Sequence, residues 1–304
     1  MFRIKELFIF AVAIASLAVL STAGADEEET SALERIRERG VLEVAVYKDF
    51  PPFSFRDRKG RIIGIDADIA RALAQRLGVS AAIRTVGADE SMEDDLRNNV
   101  WKGHYLGGGV ADLMLHVPYD GAFAEENDRV TFVAPYYREQ IVVAVGKGVG
   151  AGLDPQDYFS REKVGVELDT LTDFYLLSAY DGKIRNQVVH FSNIGKAVTA
   201  LKQGEIAAVA GPRSEIEFAL GDHADNYAVG PIQMPGLRTS GWDLGAAVKK
   251  GNTALAEAVE TAMAQLRKQS SLSKIFSNYR SSYQLPSQTK LVRVESNGRI
   301  SKRD

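Results

Sequence analysis

The chain has 304 residues, 45% hydrophobic and 25% charged, with a formal net charge of −3 and no cysteine. That is the balance of a globular protein of one large domain or two ordinary ones. The missing cysteine excludes disulfides, thiolate metal sites, iron–sulfur clusters and a thiol nucleophile, and the near-neutral charge leaves no electrostatic footprint for nucleic acid.

Arg3 and Lys5 precede an uncharged apolar run over 7–20, followed by Ala23-Gly24-Ala25 and the acidic stretch Asp26-Glu27-Glu28-Glu29. This layout predicts a cleaved secretory signal peptide over 1–25, because the run falls short of the roughly 20 residues a spanning helix needs. Export to the periplasm is then expected, with no membrane span in the mature chain. Ser31, Glu34 and Gly40 predict a capped helix over 31–40. The alternation in VLEVAVY predicts a strand over 41–47, and Phe50-Pro51-Pro52-Phe53 breaks it into a loop. Apolar residues at Ile65, Ile69, Leu73 and Leu77 predict an amphipathic helix that stops at Gly78.

Further strands are predicted over 79–86, 112–117, 140–145, 163–167, 206–210 and 246–249. Helices are predicted over 172–180, 194–203, 253–269 and 271–279. Strands alternating with helices point to an α/β fold with mostly parallel sheets. Residues 286–304 lack periodicity and read as a mobile tail.

Five segments in order carry a resemblance: 41–79, 130–145, 164–170, 197–212 and 249–266. Together they resemble the periplasmic solute-binding proteins of family 3, the amino-acid-type receptors of ABC importers. The resemblance implies a two-lobed periplasmic-binding-protein fold of type II, with lobe one at 31–139 plus 241–285 and lobe two at 140–240. Two crossover strands, near 138–145 and 242–248, would form the hinge. It also implies a monomer that captures a small polar solute for an ABC importer permease, without a cofactor or metal.

The residues expected to touch that solute are Phe50, Phe53, His116, Tyr119, Asp120, Arg129, Tyr136, Asp169, Thr170, Thr172, Gly211 and Arg213. Of the phenylalanines, Phe55 is expected to be core and Phe50 or Phe53 to reach the cleft, with Phe53 favoured. Thr170 is read equally well as a plain helix cap. In amino-acid receptors of the family an arginine six residues before the phenylalanine of F-x-x-P-Y holds the α-carboxylate. Here that position is Glu126, and Arg129 stands only three residues before Phe132. The lobe-two carboxylate that would hold the α-ammonium is also missing, since the stretch reads Ala210-Gly211-Pro212-Arg213. A standard α-amino acid is therefore not the expected solute.

A glycine-rich insertion over 98–111 holds Trp101, His104 and Tyr105, and reads as a lid or partner surface. His104 and His116 with Asp112 or Asp120 lack the spacing of a metal motif. The strand end His116-Val117-Pro118-Tyr119-Asp120 with Ala210-Gly211-Pro212 also resembles accessory proteins encoded with quinoprotein alcohol dehydrogenases. That likeness implies a periplasmic dehydrogenase as partner, with a degraded cleft. No catalytic motif is present; Glu126, Asp120 and His116 are the only acid–base candidates, and no enzyme activity is expected.

Overall fold

The computed structural model describes residues 30–148, 158–232, 234, 236–237, 240–288, 293–294 and 300–301, so the predicted signal peptide lies outside the described residues. Helix α1 (Ala32–Arg39) carries a complete capping box. Ser31 Oγ accepts from the Glu34 N–H, the Glu34 carboxylate accepts from the Ser31 N–H at 2.8 Å, and left-handed Gly40 ends the helix. Strand β1 (Val41–Tyr47) leads into a loop, the short hairpin β2 (Phe55–Arg56) and β3 (Ile62–Ile63), and then α2 (Ile65–Leu77). Ile65, Ile69, Leu73 and Leu77 are all buried, as their four-residue spacing requires. Gly64 opens α2 at φ 129°, and a Cβ there would lie 2.2 Å from the Phe53 carbonyl oxygen. Only glycine lets the proline loop pack this close to the helix start.

Strand β4 (Ser80–Val86) and strand β5 (Leu113–Pro118) flank β1 in parallel. Between them lie α3 (Met92–Leu96) and a π-helical turn at Arg97–Trp101. Helix α4 (Gly121–Glu126) leads into the 17-residue strand β6 (Val130–Gly146). The second half holds β7 (Val164–Glu167), α5 (Leu171–Ser178), β8 (Val188–Phe191), α6 (Ile194–Gln203), β9 (Ala208–Pro212), α7 (Arg213–Leu220) and β10 (Tyr227–Pro231). Strand β11 (Gly241–Lys249) returns to the first half, closed by α8 (Thr253–Lys268) and α9 (Ser271–Asn278).

The sheet runs β4-β1-β5-β11-β6-β9-β7-β8, with β10 also paired to β6. Its outer pairs are parallel, whereas β11 and β6 run antiparallel to each other, β11 to β5, and β6 to β9 and β10. The first part of β6 pairs with β11 and the part from Ile141 onward pairs with β9 and β10. Strand β6 therefore belongs to both halves, and the architecture is a two-lobed α/β fold. Each half has its own apolar clusters, one pair built on β1, α2, α8 and β5, the other on β7, α5, α6 and β9. Trp242 packs against clusters of both.

Several boundaries moved. The strand expected over 140–145 is the end of β6, whose earlier part contains Pro135 where the register with β11 slips, a position at which no ladder N–H is needed. The helix expected to reach Tyr180 stops at Ser178, because Tyr180 and Asp181 adopt left-handed backbone. Of the 286–304 segment, Ser287 and Gln288 donate to Asp243 on β11, and most of residues 289–304 lies outside the described residues.

Candidate functional site

A cavity of about 480 Å³ opens between the two halves. From the first half, Asp49, Phe50 and Pro51 of the loop after β1 form one wall. The other wall comes from three places in the second half: Glu167 and Thr170 at the end of β7, the start of α6, and Pro212, Glu215 and Phe218 around the start of α7. All three lie where a strand hands over to a helix, the position at which open α/β sheets gather ligand groups. The halves also touch directly: the Phe55 and Phe218 rings lie 5.5 Å apart, and the Ser282 N–H and hydroxyl donate to Glu217 at 2.6 and 2.9 Å.

Among the described residues the lining carries three carboxylates, Asp49, Glu167 and Glu215, and no arginine, lysine or histidine. Burial raises the Glu167 carboxyl above its ordinary range, partly offset by the Ile194 N–H that it accepts at the start of α6. Glu215 is pushed up to about 8, first by burial and then by repulsion from Glu167 and Glu139. Among the described residues Glu215 has no hydrogen-bond or ion-pair partner. Glu139 lies beneath on β6, 2% exposed, accepting from the Ser214 hydroxyl and from the Gln140 N–H at 3.0 Å. Burial raises its carboxyl too, against those bonds. Two basic groups lie beside the lining without forming part of it. Arg213 turns back to Glu217 at 3.1 Å, and exposed Lys48 lies 3.6 Å from Asp49.

The first half holds a second polar centre behind that wall. Asp66 is fully buried; its Oδ1 accepts from the Tyr136 hydroxyl at 2.7 Å and its Oδ2 lies 3.1 Å from His116 Nδ1. His116 sits in left-handed backbone at φ 63°, where β5 slips register against β11. A bulge of this kind re-aims a side chain, here into a box of Tyr47, Phe50 and Phe53, with ring centroids 6.1, 4.9 and 4.3 Å away.

The predicted residues thus separate. Phe50 and Thr170 line the cavity. Thr170 is a helix cap as well, its hydroxyl accepting from the Asp173 N–H at 3.3 Å and donating to the Glu167 carbonyl at 2.8 Å. The phenylalanine expectation is corrected: Phe53 is 1% exposed and core, because the loop stacks it on Phe50 and against His116, leaving Phe50 to face the cavity. Phe55 is only partly buried, held between Phe218 and Tyr279. Tyr136 and Thr172 are buried, and Tyr119 packs in the apolar cluster with Phe132. Gly211 is buried in the β6 ladder, where Ile194 fills the space beside it.

Asp120 caps α4 through the Phe123 N–H at 3.0 Å, and Asp169 stands exposed at the turn before Thr170. Arg129 is in another place altogether: it lies over the Trp101 ring at 6.0 Å, in a hollow with Glu93 and Glu126. That segment exposes Tyr105 and Leu106 and is tied down by Arg84, which donates to the Gly108 carbonyl at 2.7 Å. His104, His116 and Asp112 do not converge, since Asp112 accepts from the Glu43 N–H at 2.8 Å and pairs with Arg39. Among the described residues no group of three histidine, aspartate or glutamate side chains is placed to hold a metal ion, and no helix is long and apolar enough to cross a membrane.

Sequence reasoning missed Asp49, Glu167, Glu215 and Phe218. A signal for one was available: Glu215 stands two residues past Arg213, in the first turn of the helix that begins after Gly211-Pro212.

Residues 42–101 match the model of the bacterial extracellular solute-binding proteins, family 3. The L-cystine-binding protein TcyJ of Escherichia coli (strain K12) is 25% identical over 268 residues, 88% of this chain and 92% of that protein. The cyclohexadienyl dehydratase of Pseudomonas aeruginosa is 40% identical, but over only 82 residues, 27% of this chain and 30% of the enzyme. Among solved structures, an ancestral cationic amino acid solute-binding protein superposes with a TM-score of 0.64 at 22% identity, covering 83% of this chain and 100% of that one. These relatives lend no support to a quinoprotein dehydrogenase partner.

Proposed function

We propose, for a chain that is a solute-binding protein of the family 3, amino-acid importer type, that it closes its two lobes on a small polar solute other than a standard α-amino acid. The observation that carries this reading is the makeup of the cavity walls. They come from both halves of the chain, yet no basic side chain among the described residues lines them. An α-carboxylate buried there would lose its water without a charged partner, at a cost of several kcal/mol. The lobes would divide at 31–139 plus 241–285 and 140–240, with β6 and β11 absorbing the backbone change on closure. The apolar run over 7–20 supports export to the periplasm. The relatives are mostly binders, and the dehydratase likeness covers too little of the chain to carry an enzymatic reading.

A thermal-shift screen of the purified protein against amino acids, carboxylates, amines and polyols tests the proposal. One class of solute should raise the melting temperature, since a ligand at a hundredfold excess over its Kd adds about 2.7 kcal/mol. A dominant response to common α-amino acids would refute the exclusion of that class. Silence across the panel would refute the receptor reading.

A further inference from the structure

Resting on that receptor reading, we infer that the solute is an organic amine without a carboxylate, its ammonium held by Glu167 and Glu215 and its apolar body between Phe50 and Phe218. The first support is charge. Glu167 and Glu215 approach from different elements, β7 and α7, and both face the cavity. Ionising both at once is costly, which keeps a proton on Glu215 in the empty site, and the Arg213 guanidinium on the same helix pairs with Glu217 and not with Glu215. A carboxylate withdrawn from water without a partner is costly to keep. A cationic solute entering the cavity would supply that partner.

The second support is shape. Phe50 and Phe218 project from opposite lobes, and Pro51, Ile194, Pro212 and Ala219 complete an apolar lining. An ammonium beside ring faces gains further attraction from their quadrupoles. The apolar remainder and the lack of a three-ligand cluster among the described residues favour an organic cation over a metal ion. The titratable groups acting on Glu215 are Glu167 on β7 and Glu139 on β6, and Asp49 of the loop after β1 shares the cavity wall. With the Glu215 carboxyl at about 8 in the empty cavity, an ammonium would displace its proton. Affinity should then climb up to tenfold per pH unit between pH 6 and 8 and flatten above.

Two matched pairs make the test: cadaverine against lysine and agmatine against arginine, each pair differing only in the α-carboxylate, with succinate as the anion. Titration calorimetry on the purified protein should show at least one amine binding tenfold or more tighter than its amino acid. Its proton release, read from buffers of different ionisation enthalpy, should vanish in Glu215→Gln along with at least tenfold of affinity. Arg129→Ala, remote from the cavity, should bind as the parent does. An amino acid that binds as tightly as its amine overturns the inference and leaves the receptor reading standing, as does binding of succinate alone. If none of the five probes binds, the inference falls, and the broader panel then decides the receptor reading separately.

Discussion

Asp66 and Glu215 are both carboxylates held out of bulk water, one in each half of the molecule, and their surroundings are opposite. Around Asp66 every oxygen is used: Tyr136 donates to one and His116, packed against Phe50 and Phe53, faces the other. Around Glu215 nothing among the described residues donates, and two further carboxylates push on it. A buried polar group with its partners in place specifies a fold; one without them stores free energy that a ligand can recover. Phe50 sits between the two centres, stacked on Phe53 at 5.5 Å toward Asp66 and lining the cavity on its other side. The first half thus offers a rigid wall and the second an unsatisfied one.

That contrast can be broken most forcefully at Asp66. Asp66→Ala should cost about 3–5 kcal/mol in chemical denaturation, because it strands a buried hydroxyl and a half-buried imidazole together. A loss under 1 kcal/mol would show the network to be dispensable. Next comes Gly64→Ala, which forces a Cβ onto the Phe53 carbonyl at unfavourable φ. It should cost about 2–3 kcal/mol by the same measurement and also disturb Phe50 through the shared loop.

Glu215→Gln should act in the other direction. Its folded value of about 8 exceeds the ordinary 4.5, so the carboxyl stabilises the fold only while protonated. That stability is present below about 4.5 and is lost as pH rises toward 8. The glutamine variant should therefore melt higher than the parent at pH 8 and equally at pH 4. The gain is about 1–2 kcal/mol, well under the full linkage value because cavity water screens the charge. Equal melting at both pH values would place Glu215 in water like any surface acid. The smallest effect is expected at Arg129, exposed over Trp101. Arg129→Ala should change stability by under about 0.5 kcal/mol; a larger loss in equilibrium unfolding would give that hollow a structural role.

Much of the fold could be read along the chain. Ser31 with Glu34 and Gly40, and the four-residue spacing from Ile65 to Leu77, are signals within one turn of their effect. The helices they predict form almost residue for residue. The family likeness extended that reach to the two-lobed plan, because order of elements is also a linear property. The site was legible only in part. Phe50 and Thr170 were named, but Phe53 was preferred to Phe50, since nothing local says which ring of a proline loop turns inward.

What only the tertiary structure decided is where separate pieces meet. The aim of His116 depends on a register slip between β5 and β11, strands more than a hundred residues apart in sequence. Glu167 and Glu215 end up in one cavity because β7 and β9 are parallel neighbours whose following turns open on the same edge. Hydrophobic periodicity and capping act over a few residues and leave their mark in the sequence itself. The charge of a cleft is a sum over distant elements, and the chain must fold before that sum exists.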